Sequence, residues 1–219
     1  MSFYTVDSLT FSYNKSNTLF QNVSFNIEEN QQVGLIGPNG CGKTTLVKLI
    51  LGILKPQKGE IYLQGKNIRN TSLSSVGKQV GFVFQNPDKQ LFCPTVLEQI
   101  SFSYKYENKI SKGEIDDKIN YYLETFDLLK HKNSSPLELS RGEKQRLALA
   151  SVLSRDVKFL ILDEPTTGLD ILRKRQLEKC LMSLKQEGKG YMIISHEAKF
   201  LSKYVDKLLR LQHEGVEYI

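Results

Sequence analysis

The chain lacks tryptophan and is poor in cysteine, with only Cys41, Cys93 and Cys180 among its 219 residues. These three cysteines are odd in number, lie far apart in the sequence and form no C-x-x-C pair. Their spacing argues against a disulfide framework and against a zinc site built on cysteine. We therefore expect a chain suited to a reducing compartment.

Long hydrophobic runs are also missing, because no apolar stretch approaches the roughly 20 residues that span a bilayer. The N-terminal MSFYTVDS lacks the charged and apolar regions of a signal peptide. We therefore expect neither a signal peptide nor a membrane-spanning helix, and we predict a cytoplasmic location.

Basic tracts are absent although the net charge is +6 and the isoelectric point is about 9.1. The lysines alternate with glutamates and asparagines, which is typical of a solvated surface. Specific nucleic-acid binding remains the alternative, since a basic chain permits it. With 40% hydrophobic residues, the chain is long enough for one well-buried globular domain.

The sequence does contain a regular alternation of apolar runs and amphipathic stretches, which is typical of an α/β fold. Strands are predicted at Tyr4–Tyr13 and Val23–Ile27 and in the runs QQVGLIG, GEIYLQG, QVGFVFQ, FLILDEP and YMIISH. Helices are predicted at Lys43–Leu51, Glu114–Leu129, Glu143–Leu153 and Leu172–Glu187. The later strands are apolar throughout, as in a parallel sheet buried on both faces. Residues 86–150 have little strand pattern, which predicts a helical lobe beside an α/β core.

A glycine-rich loop, GPNGCGKTT, separates the apolar strand QQVGLIG from the helix that follows it. Gly37, Gly42, Lys43 and Thr44 match the pattern G-x-x-x-x-G-K-[ST], in which backbone N–H groups cradle phosphates. The lysine would reach the terminal phosphates, and Thr44 could bind Mg²⁺. The loop predicts a nucleoside triphosphate site; the alternative is a plain glycine turn.

Two adjacent carboxylates, Asp163 and Glu164, end the apolar strand FLILDEP. Carboxylates at the carboxyl end of a central strand face the crevice in which α/β sheets bind ligands. Asp163 would hold the metal, and Glu164 could polarise an attacking water molecule. The alternative is a pair of surface carboxylates that closes a strand.

A second anion-binding helix start is predicted in LSRGEKQR, where Ser140 and Gly142 precede a helix. Because the first loop already serves one nucleotide, the second site would face the nucleotide of another subunit, which predicts a head-to-tail pair. An ordinary helix cap is the alternative. Gln85 and His196 also follow apolar strands, where they could meet Mg²⁺, water or the γ-phosphate, or be purely structural.

With these motifs in order, the chain resembles the ATP-binding subunits of ABC transporters over essentially its whole length. GPNGCGKTT resembles the Walker A motif, Gln85 the Q-loop, LSRGE the signature, LILDE the Walker B motif, Asp170 in TGLD the D-loop and His196 the switch histidine. The resemblance implies one P-loop NTPase domain of ABC type over residues 1–219. Its RecA-like core would comprise residues 1–85 and 151–219, with an N-terminal antiparallel β subdomain and an inserted helical subdomain at residues 86–150.

The same resemblance implies the site residues and the cofactors, ATP and Mg²⁺. The nucleotide contacts would come from Tyr13, Gly37, Pro38, Asn39, Gly40, Cys41, Gly42, Lys43, Thr44, Thr45, Ser140, Gly142, Glu143 and Asp170. The metal ligands would be Thr44, Gln85 and Asp163. The catalytic residues would be Glu164, His196 and Gln85. Tyr13 would stack on adenine, with a buried strand aromatic as the alternative.

A narrower resemblance lies in FQNPDKQLFCPTVLEQISF, which is similar to a segment of the energy-coupling-factor importers of vitamins and transition-metal ions. In that family the segment docks on the transmembrane subunit, which makes Asp88, Gln90 and Phe92 interface candidates. The alternative is a solvated helix start with one core phenylalanine. Arg141 stands where the signature usually has glycine, and Glu143 where it usually has glutamine.

The function predicted from the resemblance is an ATPase that powers such an importer from the inner face of the cell membrane. Its partners would be integral membrane subunits and a second ATPase, identical or paralogous. After His196 the sequence continues with a strand-like KLLRLQ and without the C-terminal extension that many such ATPases use to dimerise, so we expect pairing to depend on ATP or on the membrane subunit. The alternatives are an ATPase of an exporter, a soluble ABC ATPase without a transport role, and a regulatory subunit that does not hydrolyse ATP.

Overall fold

The structure is a computed structural model that describes residues 1–14, 17–106, 111–212 and 215–219. The strands are β1 (Ser2–Asn14), β2 (Asn17–Glu28), β3 (Gln32–Ile36), β4 (Lys58–Leu63), β5 (Lys66–Asn67), β6 (Val80–Val83), β7 (Phe159–Asp163), β8 (Gly190–Ile194), β9 (Lys207–Gln212) and β10 (Gly215–Tyr218). The α-helices are α1 (Lys43–Ile50), α2 (Leu73–Gly77), α3 (Val96–Ser101), α4 (Lys112–Thr125), α5 (Arg141–Leu153), α6 (Ile171–Gln186) and α7 (Ala198–Tyr204).

The four predicted helices are all present, as α1, α4, α5 and α6, and they differ from the predictions mainly at their ends. Helix α4 ends at Thr125 and does not reach Leu129. Asp127 has a left-handed backbone with φ 52°, which turns the chain out of the helix, and the Leu128 N–H then bonds the Leu123 carbonyl over 2.7 Å. Helix α5 begins at Arg141 because the preceding Ser140 side chain caps it.

The chain divides into two compact units by its internal contacts. The first unit comprises residues 1–80, 157–163 and 184–219, and the second comprises residues 81–156 and 164–183. The second unit therefore contains residues 81–85, 151–156 and 164–183, which the prediction assigned to the core, in addition to the predicted helical stretch, residues 86–150.

The first unit holds two sheets of different kinds. An antiparallel sheet has the strand order β2-β1-β4-β5. In the other sheet, the strands of this unit follow the order β10-β9-β3-β8-β7, with β3, β7, β8 and β9 parallel and β10 antiparallel at the edge. The predicted α/β fold, with a mostly parallel core sheet and an N-terminal antiparallel β part, is confirmed.

An aromatic cluster forms part of the core of the first unit. The rings of Phe3 and Phe159 stack with centroids 4.9 Å apart, and Tyr4 meets both rings edge-on. All three side chains are fully buried, and burial raises the pKa of Tyr4 well above its usual range. A Cβ on Gly190 would lie 2.7 Å from the Phe159 ring, which explains the glycine at the start of β8.

The register of the parallel strands decides which residues meet at one edge of the sheet. Leu35 of β3 and Asp163 of β7 both pair with Ile194 of β8. The three strands thus end at the same level, and the chain segments that follow β3 and β8 leave the sheet beside Asp163. This is the edge at which α/β sheets bind ligands.

The second unit is mainly helical. The Tyr122 hydroxyl of α4 donates to the Leu153 carbonyl at the end of α5 over 2.7 Å. Arg173 of α6 donates to the Asp127 carboxylate, which follows α4, over 2.6 Å. These side-chain bonds tie the helices of the unit to one another. In the part of the chain that the structure describes, no helix is both long enough and apolar enough to cross a membrane.

Candidate nucleotide-binding site

Two glycines shape the loop between β3 and α1. Gly42 precedes α1 with φ 101°, a conformation that costs residues with a side chain about 1 kcal/mol or more. A Cβ on Gly37 would lie 2.4 Å from the Leu211 carbonyl oxygen, so only glycine lets the loop pass β9 this closely. The glycines at these two positions of the motif are therefore required by the backbone path.

Helix α1 begins differently from α4 and α5, two helices that have capping boxes. No side chain caps it within the described residues, and its first turn carries no acidic residue. Helices α4 and α5, in contrast, both begin with a serine cap and a glutamate. The first N–H groups of a helix need acceptors, and together with the helix dipole they favour an anion. The start of α1 is thus suited to phosphate oxygens.

The other residues of the loop lie around this helix start. Pro38, Asn39 and Gly40 are exposed, and a Cβ on Gly40 would meet nothing within 4 Å. Cys41 is fully buried and therefore anchors the loop to the core.

The Lys43 ammonium group lies over the loop. It donates to the carbonyls of Gly37 over 2.8 Å and Pro38 over 3.0 Å. An ammonium group has three hydrogens to donate, so these two bonds hold it in place while leaving it able to bond a further acceptor. The positive charge is thereby fixed at the mouth of the loop.

The second residue of α1 faces the end of β7. The Thr44 hydroxyl donates to Oδ2 of Asp163 over 3.4 Å, although the two residues lie 119 positions apart in the sequence. Asp163 is only 4% exposed. A hydroxyl and a carboxylate are oxygen ligands of the kind that Mg²⁺ prefers. The structure thus brings together two of the three predicted metal ligands.

Tyr13, at the end of β1, lies beside the same helix. Its hydroxyl is 3.1 Å from the hydroxyl of Thr45, and its ring meets Phe11 edge-on. The side chain is 60% exposed, so the alternative in which Tyr13 is a core aromatic is wrong. Thr45 itself is buried.

His196 follows β8, at the sheet edge that also holds Asp163, and its side chain is exposed. The residue before it, Ser195, is buried, and its hydroxyl accepts the Glu197 N–H over 3.1 Å. This turn fixes the backbone on both sides of His196.

In the second unit, Glu164 directly follows Asp163 and is 8% exposed. Its backbone has φ 48°, and its carbonyl accepts the Thr167 N–H over 3.1 Å, which forms a tight turn after β7. A non-glycine residue with positive φ costs of order 1 kcal/mol and is typical of functional sites. Gln85 is exposed and lies two residues after the end of β6.

The signature residues form a capping box at the start of α5. The Glu143 carboxylate accepts the Ser140 N–H over 2.9 Å and the Ser140 hydroxyl over 2.7 Å, while its own N–H bonds the serine oxygen. The Ser140 hydroxyl, then the Ser140 N–H, and the nearby His131 lower the pKa of Glu143 to about 2. Glu143 is therefore a structural cap in this structure, with its carboxylate ionised.

Two further predicted residues, Gly142 and Asp170, also have structural roles within the second unit. A Cβ on Gly142 would lie 3.3 Å from the Gly168 carbonyl oxygen, so the signature turn passes close to the TGLD segment. Asp170 accepts the Arg173 N–H over 2.8 Å and thereby caps α6.

Of the three interface candidates that follow Gln85, Asp88 and Gln90 have side chains bonded to α5, whereas the ring of Phe92 is exposed. Gln90 accepts the Phe84 N–H over 3.1 Å and donates to the Ala148 carbonyl over 3.0 Å, so its side chain joins the residues before Gln85 to α5. Asp88, although exposed, pairs with Lys144 of α5 over 2.9 Å. Sequence reasoning identified neither bridge, since each depends on where α5 lies.

Phe92 is the candidate that remains on the surface. It is 65% exposed, and its ring packs edge-on against Phe102 with centroids 4.9 Å apart. The alternative in which Phe92 is a core residue is therefore wrong.

A phosphate-binding loop between β3 and α1, with a buried aspartate facing its threonine, defines a P-loop nucleotide-binding protein. The ABC transporter family matches residues 20–167, so this chain belongs to the ABC transporter family. Proteins of this family are ATP-binding ATPases, and this chain is one of them.

Relatives and solved structures agree with this assignment. The energy-coupling factor transporter ATP-binding protein EcfA of Methanocaldococcus jannaschii is 36% identical over 202 residues, which are 91% of this chain and 72% of the relative. The structure of cbiO1 from Clostridium perfringens, part of the ABC transporter complex cbiONQ, has a TM-score of 0.82 and 30% identity, covering 99% of this chain and 87% of that one. The dimeric, post-hydrolysis structure of the ATP-binding cassette MJ0796 with ADP and Pi has a TM-score of 0.84 and 26% identity, covering 98% of this chain and 96% of that one.

The bridge made by Gln90 leads to a prediction about stability. Gln90→Leu keeps the size of the side chain but leaves the Phe84 N–H and the Ala148 carbonyl without this partner. We expect it to lower the free energy of unfolding by about 2 kcal/mol, measured by urea denaturation. Lys89→Ala, a change at the exposed neighbouring position, should alter it by less than about 0.5 kcal/mol. Equal stability of the two variants would show that the bridge is not structural.

Proposed function

We propose that the chain is the ATP-hydrolysing subunit of an energy-coupling-factor importer for a vitamin or a transition-metal ion. The observation that carries the ATPase assignment is the Thr44 hydroxyl facing the buried Asp163 carboxylate beside the phosphate-binding loop. The importer subtype is supported by the similarity to EcfA and to cbiO1 and by the segment Phe84–Phe102.

Binding of the triphosphate rests on the loop and the start of α1. The backbone N–H groups of residues 37–45 would surround the phosphates, with the positive charge of Lys43 on the terminal ones. Tyr13 would stack on adenine, a contact worth about 1–3 kcal/mol by analogy with base stacking elsewhere. Its exposed ring beside α1 supports this role.

The residues at the end of β7 fit a magnesium ion. Thr44 and Asp163 supply a hydroxyl and a carboxylate oxygen 3.4 Å apart, and Gln85 would supply an amide oxygen. The described residues contain no cluster of three His, Cys, Asp or Glu side chains that could hold a metal by themselves. Mg²⁺ usually binds one or two protein groups together with phosphates and water. When bound, the ion would neutralise charge on the phosphates.

Hydrolysis would be mainly a matter of position and charge, because phosphoryl transfer requires little covalent chemistry from the protein. Glu164 would orient the attacking water and accept its proton as the water oxygen bonds the γ-phosphorus and ADP leaves. His196 would form a hydrogen bond with the γ-phosphate and so hold it in position. The low exposure of Glu164 and its position directly after Asp163 support its role.

The proposed transporter contains two further kinds of subunit, a second ATPase and an integral membrane subunit. Ser140, Gly142 and Asp170 would contact the nucleotide held by a second ATPase subunit, as in a head-to-tail dimer. The exposed ring of Phe92 would dock on a cytosolic helix of an integral membrane subunit and hold the chain at the inner face of the membrane. Closure of the ATPase pair would move the membrane subunits, and hydrolysis would reset them.

Glu164→Gln tests the proposed base. The amide keeps the shape of the side chain but cannot take a proton, so turnover should fall by roughly 100-fold or more. ATP binding, measured by fluorescence titration, should change little. The matched control is Glu138→Gln, a neutralised carboxylate on the exposed turn before α5, which should hydrolyse ATP normally. If Glu164→Gln hydrolyses ATP at a near-normal rate, Glu164 is not the base.

The Glu164→Gln protein should also pair when ATP is added, because slow hydrolysis preserves the ATP-bound state. Light scattering should report a mass near twice 25.0 kDa with Mg²⁺ and ATP, either for the chain alone or with a copurified paralogue. Without nucleotide the species should be smaller. Monomers alone under all conditions, including in the purified membrane complex, would contradict the proposed pairing.

A further inference from the structure

His131 contacts the signature turn from outside it. It ends a short 3₁₀ turn, Leu129–His131, and its Nε2 lies 2.9 Å from Oε1 of Glu143. The other carboxylate oxygen, Oε2, accepts both bonds from Ser140. Arg146, one turn further along α5, lies 3.9 Å from Oε1. The two carboxylate oxygens of Glu143 thus have different partners. Oε2 caps the helix, and Oε1 lies beside His131 and Arg146.

Helix α4 offers a comparison within the same chain. Its Ser111 and Glu114 form the same capping box, with bonds of 2.9 Å and 2.7 Å to the glutamate. The carboxylate of Glu114 is exposed, and among the described residues no histidine lies against it. A capping box therefore needs no histidine for the helix to form, and the contact of His131 with Glu143 is additional to the cap of α5.

The chemistry of the Ser140 hydroxyl suggests what the contact between His131 and Glu143 does. Phosphate oxygens only accept hydrogen bonds, so Ser140 can bond a phosphate only by donating its single hydrogen. In this structure that hydrogen is directed to Glu143. Glu143 also places a negative charge where the partner subunit's nucleotide would bring another. A donor on Oε1 fixes the orientation of the carboxylate, and with it the Ser140 hydroxyl that is bonded to Oε2, and offsets part of its charge.

We propose that His131 is a positioning residue of the composite nucleotide site: by holding Glu143, it sets the orientation of Ser140 towards the phosphates bound by a second subunit. This inference rests on the proposed function, because it assumes ATP-dependent pairing. It assigns to His131 an effect on pairing and not on the binding of ATP by its own subunit.

The test is a double-mutant cycle on the full-length chain, with Glu164→Gln as the common background. His131→Phe removes the donor, and we expect it to weaken ATP-dependent pairing about fivefold, measured by light scattering across protein concentrations. Affinity for ATP in the single subunit should not change. His131→Gln keeps an N–H donor and should restore pairing. With Glu143→Gln also present, His131→Phe should have little further effect.

Two controls separate positioning from folding. Glu114→Gln, in the matched capping box of α4, should leave pairing unchanged, and thermal unfolding should show that every variant is folded. Hydrogen exchange gives a readout that needs no partner: the Glu143 and Lys144 amides should exchange faster in His131→Phe and not in His131→Gln.

The outcomes distinguish the two levels of the proposal. If the background protein pairs with ATP and His131→Phe pairs equally well, the inference is overturned and the proposed function stands. The inference is also overturned if His131→Phe weakens pairing equally with and without Glu143→Gln, because His131 then does not act through Glu143. If the background protein never pairs, the proposed function fails and the inference fails with it.

Discussion

The Thr44 hydroxyl and the Asp163 carboxylate meet at 3.4 Å because β3 and β7 lie on either side of β8 and end at the same level. A carboxylate that is only 4% exposed needs partners, since an isolated buried charge is costly. A hydroxyl at the start of a helix, with the positive end of the helix dipole behind it, is one such partner. The glycines of the loop and the buried core of the first unit set the path of the segments that carry this pair.

Much of this arrangement could be predicted from the sequence. The loop motif, the aspartate and His196 each follow an apolar strand, and parallel strands bring their carboxyl ends to one edge of a sheet. Local sequence thus identifies the residues, and topology assembles them. The capping box at α5 also has a local signal, serine followed three residues later by glutamate, and the structure shows Glu143 in this capping role.

Other features depend on contacts between elements and have no local signal. The resemblance predicts that Gln90 faces a partner, whereas in the structure both ends of its amide are bonded within its own unit. His131 reaches Glu143 only because its short turn lies next to the start of α5. The exposure of Tyr13 and Phe92 likewise depends on what packs beside them, since an aromatic residue in a strand or a turn is buried in one fold and exposed in another.

The central claim is that Thr44 and Asp163 act together on one magnesium-bound triphosphate. It is tested most directly by titrating ATP with and without Mg²⁺ against Thr44→Val, Asp163→Asn and the double variant. We predict that each single change removes most of the Mg²⁺-dependent gain in affinity, at least about tenfold, that binding in EDTA is retained, and that the double change costs little more than either single change. Full Mg²⁺ enhancement in Asp163→Asn, or independent losses that add in the double variant, would contradict the claim.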